Sequence, residues 1–217
     1  TENVREIEND SFIGCGTLTI YGPVGSYVQR YSDENEIPFE LTSIFVKGDF
    51  KYSILEDGTV EITEYLGTSG NVEIPSQVED LTGSMRKVTR IGRSVFENNL
   101  RLTSVTIPNG VTQIGTNAFT NCTNLITVDT SGVVELRSVR GFARGTGSAG
   151  LGDNAFNGCI NLEKVKIPDG ISRIGGSAFD GCIRLTLVEM HEGITTIGDR
   201  AFNECTNIER LHIPPNV

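Results

Sequence analysis

The sequence predicts a solenoid in which short parallel strands from successive repeats lie side by side. Three observations support this fold class. A 23-residue pattern recurs along the second half of the chain, its apolar positions keep their character in every unit, and glycine is abundant, at 25 of 217 residues. A single unit has too few apolar side chains to enclose a core, so the units must stack to bury them.

Phenylalanine marks the repeat. The phenylalanines concerned are Phe96, Phe119, Phe156, Phe179 and Phe202, which are separated by 23, 37, 23 and 23 residues. The interval of 37 is one unit plus an insertion of 14 residues, within 130–150. Isoleucine or leucine stands five positions before each phenylalanine, followed by glycine, and an apolar residue follows it by six and by nine positions.

Each unit is predicted to contain one short strand and one turn. The alternation around Val165, with Lys164 and Lys166 pointing outward, is typical of a strand. The following Ile167-Pro168 ends it, because proline cannot donate to a strand ladder. The G-x-x-A-F-x-x-C segment predicts a short helical or 3-10 turn on the opposite, convex side.

The pattern I-G-x-x-A-F-x-x-C-x-x-L-x-x-V-x-I-P-x-x-V resembles the BspA-like leucine-rich repeat over residues 88–217, apart from the insertion. The resemblance implies a leucine-rich-repeat solenoid of the α/β type. It also implies a secreted or cell-surface binding module, often adhesive, without catalysis. The sequence departs from the pattern where Asn99 replaces cysteine, where Met190-His191 replaces Ile-Pro, and where Thr130-Ser131 opens the insertion.

Residues 1–45 are predicted to be the C-terminal end of a preceding array with a helical cap. The repeat offsets are reproduced by Ile7, Phe12, Cys15 and Leu18. Ser26 is then suited to cap a helix in which Tyr27 and Tyr31 lie one turn apart. This segment resembles the helical end of arrays in the family.

Residues 46–217 are predicted to form a second array. Two alternating runs, Phe50–Leu55 and Thr59–Tyr65, flank an Asp-Gly turn and predict a β-hairpin over residues 49–66. This hairpin is expected to cap the N-terminal edge of the array.

The remaining segments of the second array are connections and regular units. Residues 40–48 are expected to be a linker, Asn71–Pro75 to supply a first strand, and regular units to begin at about Val88. Because the chain begins with Thr1 and stops after Ile-Pro, where another unit would start, it is expected to be a piece of a longer repeat protein.

Composition and motifs disfavour several classes of function. The chain has 18 Lys and Arg against 28 Asp and Glu, a formal net charge of −10, which disfavours binding to nucleic acid. The sequence has no run of 18 apolar residues, so it predicts no membrane-spanning helix. The sequence has no G-x-S-x-G, H-E-x-x-H, P-loop or dinucleotide-binding motif, so we expect neither catalysis nor a cofactor.

The five cysteines share one repeat position: Cys15, Cys122, Cys159, Cys182 and Cys205. We expect a buried column of free thiols, because cysteine behaves as a small apolar residue. Disulfides between adjacent units remain an alternative, although the odd number argues against a framework. A metal site would need converging ligands such as C-x-x-C, which this spacing lacks.

The candidate binding residues are outward positions eight and ten residues after each phenylalanine. They include Thr106, Asp129, Lys164, Lys166, Glu189, Arg210 and His212. These positions change chemistry from unit to unit while the inward positions hardly vary. A binding surface would give this pattern, and so would unselected variation of solvent-facing residues.

The insertion is a second candidate, because it holds the largest basic cluster in an acidic chain. Its candidate residues are Arg137, Arg140, Phe142 and Arg144. They would suit a protruding contact loop, since arginine and aromatic residues are enriched at interfaces. A tolerated excursion without function is the alternative.

Two functions follow as hypotheses. The first is a surface module that binds a protein or glycan of a host or neighbouring cell through the outward strand positions. The second is a structural spacer that holds another domain away from the cell wall. An outward surface with a contiguous apolar or aromatic centre favours the first, and scattered polar residues favour the second.

Overall fold

The computed structural model describes residues 7, 11, 12, 15, 18, 20–22, 27–41, 43–130 and 150–217. In its N-terminal part, β1 (Ile20–Gly22) pairs in parallel with β2 (Phe39–Leu41), and α1 (Tyr27–Glu34) connects them. The helix begins one residue after Ser26, which itself lies outside the described residues. Tyr31 is buried, and its ring centroid lies 6.1 Å from that of Phe12.

Three antiparallel strands follow: β3 (Ile44–Lys47), β4 (Phe50–Ile54) and β5 (Val60–Tyr65). The predicted hairpin is present as β4 and β5. The expected linker over residues 40–48 is wrong, because this segment includes β3. Phe45 explains the strand, since its ring is buried and stacks on Tyr52 at 5.2 Å. The division of the chain into two arrays stays a prediction.

The repeat strands form a five-stranded parallel sheet, as predicted. In spatial order its strands are β6 (Asn71–Glu73), β9 (Ser104–Thr106), β11 (Thr127–Asp129), β13 (Lys164–Lys166) and β15 (Leu187–Glu189). Equivalent residues of successive units pair in register, as Val105 does with Val128 and Val165 with Val188. The buried central residue of each strand therefore falls on one line.

A second sheet, which the sequence pattern did not predict, runs through the Ile-Gly positions. Its parallel strands are β8 (Met85–Ile91), β10 (Gln113–Ile114), β12 (Gly150–Leu151), β14 (Arg173–Ile174) and β16 (Thr196–Ile197). Two additional contacts extend it: β5 pairs in parallel with β8, and β7 (Gln77–Glu79) pairs with β8 in antiparallel fashion. The hairpin thus continues the sheet of the array.

The A-F-x-x-C segments are isolated turns rather than helices. The Cys122 N–H donates to the carbonyl of Phe119, three residues earlier, at 3.1 Å. The residue before the A-F pair and the residue before the cysteine are left-handed, with φ of 59° at Asn117 and 57° at Asn121, so the turn cannot continue as a helix. The predicted helical or 3-10 turns therefore take this shorter form in the described units.

The core contains a column of stacked phenylalanine rings. From Phe96 to Phe202, consecutive ring centroids lie 4.9, 4.8, 5.3 and 5.3 Å apart, with interplanar angles of 6° or less. Tyr65 of the hairpin extends the column, at 5.1 Å from Phe96. Each ring contacts the next unit, so the core is built from contacts between neighbouring units.

Candidate functional site

The outward face is the solvent side of the five-stranded sheet, formed by the residues eight and ten positions after each phenylalanine. On β13, Lys164 and Lys166 are exposed, whereas Val165 between them is 3% exposed. The same exposed–buried–exposed pattern is present on β11 and β15. The alternation of a pleated strand therefore separates side chains that build the core from side chains that solvent can reach.

Strand register arranges the outward residues in two rows. At position eight, Ser104, Thr127, Lys164 and Leu187 are successive partners. At position ten, Thr106 is the partner of Asp129, and Lys166 is the partner of Glu189. Of the predicted candidates, Thr106, Asp129, Lys164, Lys166 and Glu189 therefore lie together on one sheet face.

The last two candidates of the face lie beyond its strands. Arg210 and His212 are exposed, but β15 is the last strand of this sheet in the described chain. The expectation that they occupy outward strand positions is wrong, because the backbone around them makes no ladder with β15. Arg210 keeps the sequence position of the row at position eight, one unit after Leu187.

Hydrogen bonds occupy the polar groups at the start of the face. The Asn71 amide oxygen accepts hydrogen bonds from the hydroxyls of Ser104, at 2.7 Å, and Thr103, at 3.0 Å. These contacts link β6 to β9. Side chains that bind each other are less available to a partner, so the far end of the face, around β13 and β15, is the better candidate.

Leu187 is the large apolar side chain on this part of the outward face, and it is 41% exposed. Other exposed apolar residues lie off the two rows, at Leu100, Ile126, Ile160 and Ile183. Among the described residues, no aromatic side chain lies in either row. The list of candidates omitted Leu187; an apolar residue at a position expected to face solvent was the signal for it.

The cysteine column forms as predicted at four positions and fails at the fifth. Cys122, Cys159 and Cys182 are buried, Cys205 is partly buried, and all five thiols are free. Cys15 is exposed, so the expectation of a buried thiol is wrong at this position. No metal-binding group of three or more His, Cys, Asp or Glu occurs in the described part of the chain.

Each stacked thiol donates to a backbone carbonyl of the preceding unit. Cys182 Sγ lies 3.1 Å from the Phe156 oxygen, and Cys205 Sγ lies 3.0 Å from the Phe179 oxygen. Burial raises the pKa of Cys122 to about 12 and that of Cys205 to about 11. Because the thiolate is the nucleophilic form, these thiols are structural and unreactive in the folded chain.

His191, which stands where other units have proline, is held by backbone contacts. Its Nε2 lies 3.0 Å from the Pro168 oxygen, and its Nδ1 accepts a hydrogen bond from Gly193 N–H at 3.1 Å. Both ring nitrogens thus join two successive turns. This role leaves neither nitrogen directed at a partner.

The candidates of the insertion lie outside the described residues. These are Arg137, Arg140, Phe142 and Arg144. Their role as a contact loop stays a prediction.

The chain matches the family described as BspA type leucine rich repeat region, with six copies, over residues 71–144 and 147–217. It belongs to this family. No helix in the described part of the chain is long and apolar enough to cross a membrane. A comparison with curated proteins finds no match.

Two similar solved structures are bacterial leucine-rich repeat proteins. A leucine rich cell surface protein from Faecalibacterium prausnitzii is 30% identical, with a TM-score of 0.56, and the match covers 80% of this chain and 49% of that protein. A leucine-rich repeat protein from Bacteroides capillosus is 28% identical, with a TM-score of 0.54, covering 69% of this chain and 99% of that one. The chain therefore spans about half the length of the first protein.

Proposed function

We propose that the chain is a non-catalytic binding module of a bacterial cell-surface protein, and that it binds a protein or glycan partner through the outward face. The observation that carries the proposal is the contrast within each strand. Inward residues repeat the same apolar types in every unit, whereas the exposed positions of β11, β13 and β15 include threonine, aspartate, lysine, leucine and glutamate.

The stacked architecture suits this role physically. The five-stranded sheet is fixed by paired neighbours and by the ring column, so its outward side chains start from a rigid backbone. A partner then need not order the backbone on binding, which lowers the entropic cost of association. The cell-surface location is supported by the family and by the description of the Faecalibacterium protein.

The test is binding of the full chain to immobilised extracellular-matrix proteins and mucin glycans. A double variant, Lys164→Glu with Lys166→Glu, reverses two charges on the outward face. The control is Lys87→Glu with Arg93→Glu, which changes the net charge equally at exposed positions within and just after β8. We expect binding to at least one panel member, lost in the first variant and kept in the control.

Two results would contradict the proposal. If neither variant changes binding, the outward face is not the contact. If both reduce it equally, net charge rather than a specific face drives the interaction. Unfolding midpoints measured in parallel should agree, since all four side chains are exposed and none of them is in an ion pair within the described residues.

The second candidate function is a structural spacer. One observation favours it: among the described residues, the two outward rows have no aromatic side chain and a single large apolar one, Leu187. Interface centres are usually enriched in aromatic residues. Absence of binding across the whole panel, by a chain that unfolds cooperatively, is the result expected of a spacer.

A further inference from the structure

The two lysines of β13 have different electrostatic surroundings. Lys166 is the strand partner of Glu189. The carboxylate beside it offsets part of the charge of Lys166. Lys164 has Thr127 and Leu187 as its partners, and neither is charged.

The acidic residue next to Lys164 in sequence is already paired. Glu163 lies 3.1 Å from a guanidinium nitrogen of Arg184. No ion pair within the described residues includes Lys164, Lys166 or Arg210. Lys164 is therefore the lysine of this strand whose charge has no carboxylate beside it in the row.

The row at position eight combines this charge with an apolar side chain. Leu187, 41% exposed, is the direct partner of Lys164. Arg210 has the same repeat position one unit further on and is also exposed. An exposed leucine with a cation on the preceding unit and another on the following unit is complementary to an apolar group between two carboxylates.

We propose, as an extension that rests on the proposed function, that the outward face binds an acidic polypeptide segment with an apolar residue between its carboxylates. The residues that bind it are Lys164, Leu187 and Arg210. A polypeptide is favoured over a glycan by the surface itself. Sugars pack their C–H faces on aromatic rings, and the two rows offer none among the described residues. A leucine side chain instead matches an aliphatic side chain of the partner.

The spacing of the row sets the partner's sequence. The rings of Phe156, Phe179 and Phe202 are 5.3 Å apart, so the units that carry Lys164 and Arg210 are separated by about 10 Å. In an extended peptide, side chains two residues apart share one face and are about 7 Å apart, so a leucine with a glutamate two residues away on each side presents all three to the row, within reach of the long lysine and arginine side chains. The probe is therefore a fluorescein-labelled peptide with the sequence Gly-Ser-Glu-Ser-Leu-Ser-Glu-Ser-Gly, and the control probe has lysine in place of both glutamates.

The measurement is fluorescence anisotropy during titration with the full chain. We expect the acidic probe to bind and the basic probe not to bind. Lys164→Glu should weaken the affinity at least tenfold and Leu187→Ser about fivefold. The matched control Lys166→Glu, two residues away on the same strand, should change it less than threefold, because Lys166 lies in the row at position ten, beside Glu189 and not beside Leu187.

Absence of binding by the acidic probe, or equal effects of Lys164→Glu and Lys166→Glu, overturns this inference. The proposed function is judged separately on the protein and glycan panel. If a panel glycan binds and the double lysine variant loses it, the outward face binds glycans and only the polypeptide assignment fails. If the panel and the probe both fail to bind, both proposals fail.

Discussion

At two glycine positions of the repeat, the backbone decides which residue fits. At Gly175, a Cβ would lie 2.5 Å from the carbonyl carbon of Gly152 in the preceding unit, so only glycine allows the two turns to approach. Gly181 has φ of +75°, and the nearest atom to a Cβ there is 3.9 Å away. Glycine is needed at the first position for space and at the second for backbone conformation.

Replacing these glycines by alanine separates the two reasons. We expect Gly175→Ala to lower the free energy of unfolding by about 3 kcal/mol, because backbone must move to relieve the clash. Gly181→Ala should cost about 1 kcal/mol, the penalty of a left-handed non-glycine residue. Urea unfolding of both variants measures the difference, and equal losses would contradict a close contact at Gly175.

The buried thiols predict a loss of stability in alkali. Burial keeps the Cys122 thiol protonated in the folded chain, with a pKa of about 12, whereas an unfolded cysteine has a pKa of about 8.5. Above about pH 8.5 the unfolded chain releases a proton that the folded chain retains. Stability contributed by this group is thus complete below that pH and falls by about 1.4 kcal/mol per pH unit above it.

Denaturant unfolding at several pH values tests this account of the thiols. Between about pH 9 and about pH 10.5, Cys122→Ala should reduce the slope of stability against pH by about 1.4 kcal/mol per unit. Val128→Ala supplies the control, because it removes a buried side chain without a titratable group and should lower stability without changing the slope. An unchanged slope in Cys122→Ala would argue against a buried, protonated thiol.

At the scale of the element, a buried carboxylate holds the hairpin of β7 and β8 against the turn between β4 and β5. Asp80 accepts hydrogen bonds from Thr82 N–H and Ser84 N–H, and its other oxygen lies 2.7 Å from Arg86 Nε. Arg86 in turn donates to the Gly58 carbonyl at 3.2 Å. Burial raises the pKa of Asp80, but these hydrogen bonds outweigh it and lower the pKa to about 2.

Because of Asp80, we expect the β7–β8 hairpin to lose stability in acid. Its folded pKa lies below the unfolded value of about 3.9, so its contribution is present above about pH 4 and is lost as the pH falls towards 2. We expect Asp80→Asn to cost about 2 kcal/mol at neutral pH and to flatten this acid loss. Thermal unfolding at neutral and acidic pH measures both effects.

An exposed ion pair is the matched control for Asp80. Lys51 and Glu64 lie 3.3 Å apart across β4 and β5, and both side chains are exposed. Glu64→Gln should change stability by less than about 1 kcal/mol. A loss as large as that of Asp80→Asn would mean that burial does not distinguish the two carboxylates.

The elements differ in how well the sequence predicts them. The β4–β5 hairpin and the strands around Val105 and Val165 were predictable, because alternation and an Asp-Gly or Ile-Pro signal mark them. The strand β3 was missed because one buried residue, Phe45, is too little for a periodic signal. The two-residue strands such as β10 are too short to show alternation, although the Ile-Gly or Leu-Gly pair at their end recurs in every unit.

The candidate site was predictable in its position but not in its chemistry. Repeat offsets alone place Lys164 and Lys166 on the outward face beside Glu189. Register between units then distinguishes Lys164, next to Leu187, from Lys166, next to Glu189. That distinction depends on which units are neighbours in space. The sequence alone does not show this at the insertion before Leu151, because two neighbouring units are separated there by more than one period.

At the scale of the whole molecule, the ring column makes stability depend on contacts between units. Phe156 is 1% exposed between two stacked rings, whereas Phe202 is partly exposed and has a described ring on one side. Removal of an interior ring should therefore disturb two interfaces. Removal of the last ring should disturb one.

This asymmetry gives a prediction for the two phenylalanines. Phe156→Ala should lower the free energy of unfolding by about 3–5 kcal/mol, the range for emptying a buried aromatic site. Phe202→Ala should cost about half as much, because its ring is already partly in water. Midpoints of urea unfolding test this, and equal losses would contradict a stack in which each ring depends on its neighbours.

Variants on the two sides of β13 separate the core of the stack from the outward face. Val165→Ala removes inward side-chain volume, and Lys164→Glu with Lys166→Glu changes only outward charge. We expect Val165→Ala to lower the free energy of unfolding by about 2 kcal/mol and to retain binding, and the lysine variant to lose binding with an unchanged unfolding midpoint. A lysine variant that unfolds at a lower urea concentration, or that binds the panel as the unchanged chain does, would contradict a binding surface that is independent of the core.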